Sequence, residues 1–331
     1  MEIKETIGID VSKATLDASI HSNKRSATFE NTEKGMSLLV KWVLANTVHP
    51  REMIFFAFEH TGLYSERLSE FLSNNKLPFS IIPGLEIKRS LGISRGKDDR
   101  VDAEKIAIYA YRLREEIQPS QVAPKEIRTL KKLLSLRERL VRQRAGYKAS
   151  LKEQKKVFGK AMPKLLLGVQ KKMIKELSVQ IDTIGTEMEA IISSDREMAR
   201  KFELLLSIKC IGNQAALHLM VFTEGFTKFK NSRQFASYCG VAPFPNQSGT
   251  SLKGRPRISQ LANKKMKSLL DMCAKSSIRH NLEIREYYQR RVAMGKNKMS
   301  TINIIRNKLL SRVFAVIQRG TPYVNLYGHI T

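Results

Sequence analysis

Cysteine is scarce and scattered: Cys210, Cys239 and Cys273 are the only three in 331 residues, and no C-x-x-C pair occurs. That excludes a disulfide framework and a zinc ribbon, leaving three reduced packing residues as the expectation. The six histidines are equally dispersed, with no H-E-x-x-H or similar spacing. Any bound metal must then be held by carboxylates, which suit magnesium or manganese rather than zinc. Long apolar runs are missing too: nothing approaches the roughly 18 residues that read as a membrane span. The opening, Met1-Glu-Ile-Lys-Glu-Thr-Ile7, carries acids and has neither an apolar signal core nor a lipidation pattern, so a cytoplasmic protein is expected. Acid itself is in deficit. Asp plus Glu number 31 against 58 Lys plus Arg, a formal net charge of +27. A field of that sign favours a polyanion, most commonly nucleic acid.

What is present is enough for real cores. Hydrophobic residues make up 42% of the chain, and the length predicts two or three domains. No internal repeat or low-complexity tract interrupts it. Residues 1–120 alternate strand-like and helix-like segments. Thr6–Asp10, Thr15–Ile20 and Ser26–Phe29 read as strands, Lys34–Leu44 as a helix, and Met53–Phe58 as a strongly buried strand. Leu63–Leu72 (helix), Phe79–Ile82 (strand) and Asp99–Leu113 (helix) follow. That order predicts a sheet layered with helices.

Residues 121–195 differ. From Pro124 to Phe158, Leu130, Leu133, Leu134, Leu140 and Val141 form one apolar stripe among many cations. From Leu165 to Ile192, Ile174, Leu177, Ile181, Ile184 and Met188 form another. Two such helices predict an antiparallel pair or coiled-coil arm; a solvated bundle without a partner fits the charge pattern as well. Residues 196–331 change again. Leu204–Ile208 and Ile211–Ala215 suggest helix, tight turn, helix. Pro245–Gly254 reads as a polar loop, and Lys264–Ile278 and Ile302–Ile317 as basic helices.

The acids stand at element ends. Asp10 closes one buried strand in Gly8-Ile-Asp-Val-Ser-Lys13, and Glu59 closes the next in Phe58-Glu-His-Thr-Gly62. A sheet's carboxyl edge is where layered α/β folds bind ligands. Asp99 and Asp102, spaced i, i+3, share one face at the start of a helix. Each also has a plain structural reading, as a turn cap, a surface ion pair or a helix-dipole partner. Together they match a ribonuclease H-like arrangement, whose carboxylates clamp two divalent ions about 3.5–4 Å apart.

Gly8-Ile-Asp-Val-Ser-Lys13, Glu59-His-Thr-Gly62 and Lys97-Asp-Asp-Arg-Val-Asp-Ala103 resemble the DEDD transposases of bacterial insertion sequences. That family includes the Piv-type DNA invertase and recombinases guided by a bridge RNA. The tail is similar as well, in Gly240-Val-Ala-Pro-Phe244, Gln247-Ser-Gly-Thr-Ser251 and Gly254-Arg-Pro-Arg-Ile-Ser259, so the likeness spans essentially the whole chain. The resemblance implies an α/β RNase H-like (RuvC-like) amino-terminal domain over 1–120. A helical coiled-coil arm for dimerisation over 121–195 and a mainly α carboxyl-terminal transposase domain over 196–331 follow. It implies Mg2+ or Mn2+ held by Asp10, Glu59, Asp99 and Asp102, and Ser248 as nucleophile. DNA, a non-coding guide RNA and a second or fourth copy of the chain are the implied partners, on the bacterial nucleoid.

Two departures stand out. Asp98 precedes Asp99 and competes as third ligand, with Asp102 at i+4. Ser207-Ile-Lys-Cys-Ile-Gly212 lacks the Pro-Gly often found in the family's helix-hairpin-helix-like turn.

Ser248 lies near Lys253, Arg255 and Arg257, cations of the kind that steady a pentavalent phosphorane. Ser251 competes with it, and a turn or phosphate-binding serine is the simpler reading of a Ser-Gly pair. Lys253, Arg255, Arg257, Lys264, Lys265 and Lys267, with Arg290, Arg291, Lys296 and Lys298 beyond, form a basic tail for phosphate contacts. Tyr287, Tyr288 and Phe229 offer base-stacking rings, against the alternative of core packing. Three other functions compete. They are a sugar-kinase or actin-like ATPase, from Gly8-Ile-Asp-Val-Ser12; a non-catalytic nucleic-acid scaffold; and a hydrolytic junction resolvase.

Overall fold

In the computed structural model, which describes residues 2–90, 99–248, 252–259 and 261–324, the chain divides between two units, Met1–Val122 and Ala123–Thr331. The first holds β1 (Glu5–Val11), β2 (Thr15–Ile20), β3 (Ser26–Glu30), α1 (Glu33–Ala45), β4 (Ile54–Glu59), α2 (Leu63–Asn74), β5 (Phe79–Ile82), α3 (Gly84–Ser90) and α4 (Asp99–Arg112). The strands form one sheet in the order β3-β2-β1-β4-β5. β1, β2 and β3 pair antiparallel, while β4 lies parallel to β1 and β5 parallel to β4.

Side chains alternate across a strand, so each face of the sheet buries its own set. Ile7, Ile9, Val11, Leu16, Ala18 and Ile20 turn to one face and pack with Met36, Leu39 and Val43 of α1 and Leu68 and Leu72 of α2. Ala57 and Ile82 turn to the other and pack with Ile87 of α3 and Ile106, Tyr109 and Ala110 of α4. The result is a helix–sheet–helix sandwich. Thr32 caps α1 by accepting from the Gly35 amide at 3.1 Å, supplying one of the acceptors that a helix start lacks.

The second unit contains α5 (Lys125–Phe158), α6 (Lys164–Ser194), α7 (Arg196–Leu206), α8 (Asn213–Phe222), α9 (Ser232–Tyr238), β6 (Phe244–Ser248), β7 (Leu252–Arg257), α10 (Lys264–His280), α11 (Leu282–Ala293) and α12 (Lys298–Arg319). Arg144 donates to Ser178 at 3.1 Å and Gln170 to Gln154 at 2.8 Å, so α5 and α6 run antiparallel. Their inner stripes, with Leu130, Leu134, Ile184, Met188 and Ile192, belong to the same hydrophobic core as α7 to α12. Asp195, Asn263, Asn281 and Asn297 cap the starts of α7, α10, α11 and α12.

The structure agrees with the mixed α/β first part and helical remainder read from the pattern. It differs in four places. The segment read as a polar loop, Pro245–Gly254, is largely a hairpin in which Phe244 pairs Arg257 and Gln247 pairs Lys253. Phe-Pro-Asn-Gln-Ser has little intrinsic strand preference, and cross-strand pairing supplies what propensity does not. The short α3 and α9 and the basic α11 were unread, since none carries a long apolar period. Among the described residues no helix is long and apolar enough to cross a membrane.

Candidate active site and basic surface

Asp10 and Glu59 are brought side by side by strand register. Ile9 of β1 pairs with Phe58 of the parallel β4, so the next residue on each strand is the carboxylate. Neighbouring strands lie roughly 4.8 Å apart, and residues in register point to the same face. Both acids are half-buried. On the other side of β1, Asp10 pairs with Asp17 of β2. Asp17 is buried and accepts from the Thr28 hydroxyl at 2.5 Å. Glu59, Asp10 and Asp17 thus form a row across three strands. Asp17 was missed in the sequence because it sits in mid-strand, where an alternating polar residue reads as solvent-facing.

That face is the one α4 covers. A Cβ placed on Gly8 would stand 2.1 Å from the Ala103 carbonyl oxygen and 2.3 Å from the Ala107 nitrogen, so only glycine admits the helix this close. The Thr6 hydroxyl donates to the Ala107 carbonyl at 2.9 Å. Moving back from Gly8 to Thr6 therefore advances the helix from Ala103 to Ala107. α4 runs against β1, and its first turn, Asp99 to Asp102, lies towards the Asp10 end. Asp102 is half-buried and pairs with Lys105 at 2.9 Å. The side chain of Asp99 and all of Asp98 lie outside the described residues, as does the choice between them.

Gly84, the first residue of α3, completes the surroundings of Glu59. A Cβ there would stand 1.9 Å from Glu59 Oε1, so the carboxylate occupies the space a side chain would fill. No sequence signal marks this glycine. The oxygen-only donors Asp10, Glu59 and Asp102 are of the kind that magnesium or manganese takes. Among the described residues, no three His, Cys, Asp or Glu side chains converge on one metal position. The fit accordingly rests on Asp10 and Glu59, which follow the paired Ile9 and Phe58, and on the approach of the first turn of α4.

The second unit carries the cations. Ser248 ends β6 opposite Leu252, with its side chain outside the described residues; Ser251 lies outside them altogether. The side chains of Lys253 and Arg255 are likewise undescribed, although both residues belong to β7. Arg257 and Lys264 are exposed and Lys267 is half-buried. Lys265 is engaged: its Nζ lies 3.1 Å from Glu138 Oε1. The same carboxylate oxygen is 2.9 Å from Nε2 of the buried His218, whose Nδ1 lies 2.6 Å from the Gln214 carbonyl. Burial pushes the Glu138 carboxyl up, but hydrogen bonds from His218 and Lys265 outweigh it and hold the group below the ordinary glutamate value. This cluster joins α5, α8 and α10, and a lone histidine within the apolar Ala-Leu-His-Leu-Met of α8 was its only sequence signal.

Phe229 packs 5.0 Å from Phe235 and 5.3 Å from Tyr238, ring to ring, and is a core aromatic. Burial raises the thiols of Cys239 to about 12 and Cys273 to about 11, which fits the packing role expected of them.

Comparison with known proteins places these features in a family context. A family model for DEDD transposases of the IS110 group matches residues 7–155, and one described as Transposase IS116/IS110/IS902 family matches residues 202–289. The chain is 28% identical over 326 residues to the pilin gene-inverting protein of Moraxella bovis, covering 97% of this chain and 98% of that protein. The pilin gene-inverting protein of Moraxella lacunata matches to the same extent, 28% over 326 residues. An uncharacterized 43.6 kDa protein of insertion element IS110 from Streptomyces coelicolor is 29% identical over 136 residues, 41% of this chain and 33% of that protein.

Proposed function

Because the chain belongs to the DEDD transposase family of insertion sequences, a family of DNA-cutting enzymes, we propose that it cuts and rejoins DNA by way of a serine ester and with a carboxylate-held divalent metal. The observation that carries this reading is the Ile9–Phe58 pairing, which sets Asp10 and Glu59 next to one another at the carboxyl edge of two parallel strands. Adjacent carboxylates on one sheet face repel, and a hard cation between them relieves that repulsion. Asp10, Glu59, Asp99 and Asp102 would hold Mg2+ or Mn2+, which when bound supplies charge for the reacting phosphate.

In the first step the Ser248 hydroxyl attacks phosphorus. Its proton leaves, the bond from phosphorus to one DNA oxygen breaks, and that oxygen takes up a proton as a free hydroxyl. The serine phosphodiester keeps the bond energy, so a second DNA hydroxyl displaces the serine without ATP. Lys253, Arg255 and Arg257 share a hairpin with Ser248 and suit the charge that develops on the phosphate oxygens.

In this reading residues 1–120 are a RuvC-like catalytic domain, 121–195 a coiled-coil arm and 196–331 the serine-bearing domain. The arm's exposed apolar residues, Val157, Phe158, Leu165 and Val169, favour self-association into a dimer or tetramer. A guide RNA is the proposed source of target choice, and gene inversion, as the Moraxella relatives' names describe, is a functional parallel.

The test is denaturing electrophoresis of a labelled DNA substrate, with mass spectrometry of any adduct. Ser248→Ala should trap no protein–DNA adduct, while Ser251→Ala should still form one. An adduct on Ser251, or wild-type recombination by Ser248→Ala, would sink the assignment.

A further inference from the structure

In the second unit, α11 and α12 lie antiparallel. Arg312 bonds Glu283 at 2.5 Å, and one turn along, Lys308 lies over the ring of Tyr287 with its Nζ 4.6 Å from the centroid. The guanidinium carbons of Arg290 and Arg291 stand 5.9 and 5.8 Å from the same centroid. Three cations from two helices thus surround one aromatic ring. Arg290 and Lys308 are exposed, and Arg291 is half-buried. Among the described residues none of the three forms an ion pair, whereas the nearby Arg312 and Arg306 each have a carboxylate. The Arg291 Nε is closed off from solvent and lacks an acceptor.

Like charges brought this close repel, and the negative face of the tyrosine ring holds them where they are. Such an arrangement is complete only with an anion, and guanidinium forks match phosphate oxygens. We infer that Tyr287, Arg290, Arg291 and Lys308 form an anchoring site for the phosphodiester backbone of a nucleic-acid strand. This gives Tyr287 a different part from base stacking, since its ring is already occupied by cations. It also recruits Lys308, which lies outside the basic tail read from the sequence. The site is on other elements than the β6–β7 hairpin and so adds a second point of hold. It rests on the nucleic-acid partner of the proposed function, though not on the serine or the metal.

The experiment measures fluorescence anisotropy of labelled duplex DNA, single-stranded DNA and RNA with the full chain across a salt series. Arg290→Gln with Lys308→Gln should weaken binding at least about tenfold at low salt and lower the slope of log K against log salt by about 2, at roughly 0.9 per lost phosphate contact. Lys308→Gln alone, at an exposed position, should lower the slope by about 1. Tyr287→Leu should weaken binding severalfold with little change of slope, since the charges remain while their placement is lost. Lys34→Gln with Lys41→Gln, two exposed cations of α1, should leave the slope unchanged. The probe most affected identifies the strand that is held. Unchanged binding of all three probes by the double variant, or full affinity in Tyr287→Leu, would overturn the inference. Failure of the wild type to bind any probe in a salt-dependent way would instead overturn the broader reading.

Discussion

The two units place their charged groups by different means. In the first, Asp10, Glu59 and Asp17 are located by backbone: strand register sets their order, and Gly8 lets α4 approach within backbone contact. In the second, the cations sit on long flexible side chains of helices and are gathered by partners, Glu138 around Lys265 and His218, and Tyr287 around Lys308. The proposed chemistry at phosphorus would need positions held to fractions of an ångström, which backbone provides. Binding a polyanion needs mainly charge and tolerates mobile groups.

Substitutions can separate the two. The largest effect is expected from Asp10→Asn or Glu59→Gln. Each keeps shape and removes a charge, so cleavage should fall by about a thousandfold, from several kcal/mol of lost charge stabilisation. Melting temperature and nucleic-acid affinity should hold, and cleavage at the wild-type rate in magnesium would break the comparison at its catalytic side.

Gly8→Ala attacks the backbone instead. The added methyl meets the Ala103 carbonyl, so α4 must move off β1 at a cost of about 3 kcal/mol. Calorimetry should show a destabilised first unit, and cleavage should fall with it, while salt-dependent binding persists. Unchanged melting would mean α4 does not depend on this contact.

The counterpart in the second unit is Glu138→Ala, which leaves His218 and Lys265 without their carboxylate and should cost about 2 kcal/mol. Because the Glu138 carboxyl is held below its ordinary value in the folded chain, its contribution is complete above that ordinary value and fades as pH falls through the depressed one. The melting difference between wild type and variant should therefore be full near pH 7 and shrink below about pH 4. A difference independent of pH would show that packing, not charge, accounts for it.

The smallest effect is expected of Gly84→Ala. Its methyl displaces the flexible end of Glu59 rather than backbone, so the fold should be kept and cleavage lowered about tenfold, a shift of roughly 1.4 kcal/mol. Raising magnesium should recover part of the loss, and an unaltered metal requirement would show that Glu59 is not held in place by Gly84.

Much of this was legible without coordinates. Apolar runs that lead into acids, as in Ile7-Gly-Ile-Asp10 and Phe56-Ala-Phe-Glu59, determine strands with a carboxylate at or next to the last residue, β1 running on to Val11 and β4 ending on Glu59. The long striped helices determine a largely helical second half in the same local way, and the cation excess determines its positive charge. Three things depended on pairing between distant segments. Register decided that Asp10 neighbours Glu59 and Asp17, because a slip of one residue would send either acid to the other face. Close packing decided why Gly8 must lack a side chain and why the Glu59 carboxylate fills the space beside Gly84, neither of which the pattern around them announces. Tertiary contact turned Phe244–Ser248 and Leu252–Arg257 into a hairpin and drew Lys308 to Tyr287, because hydrogen-bond partners and ring contacts are properties of the folded chain and not of any one segment.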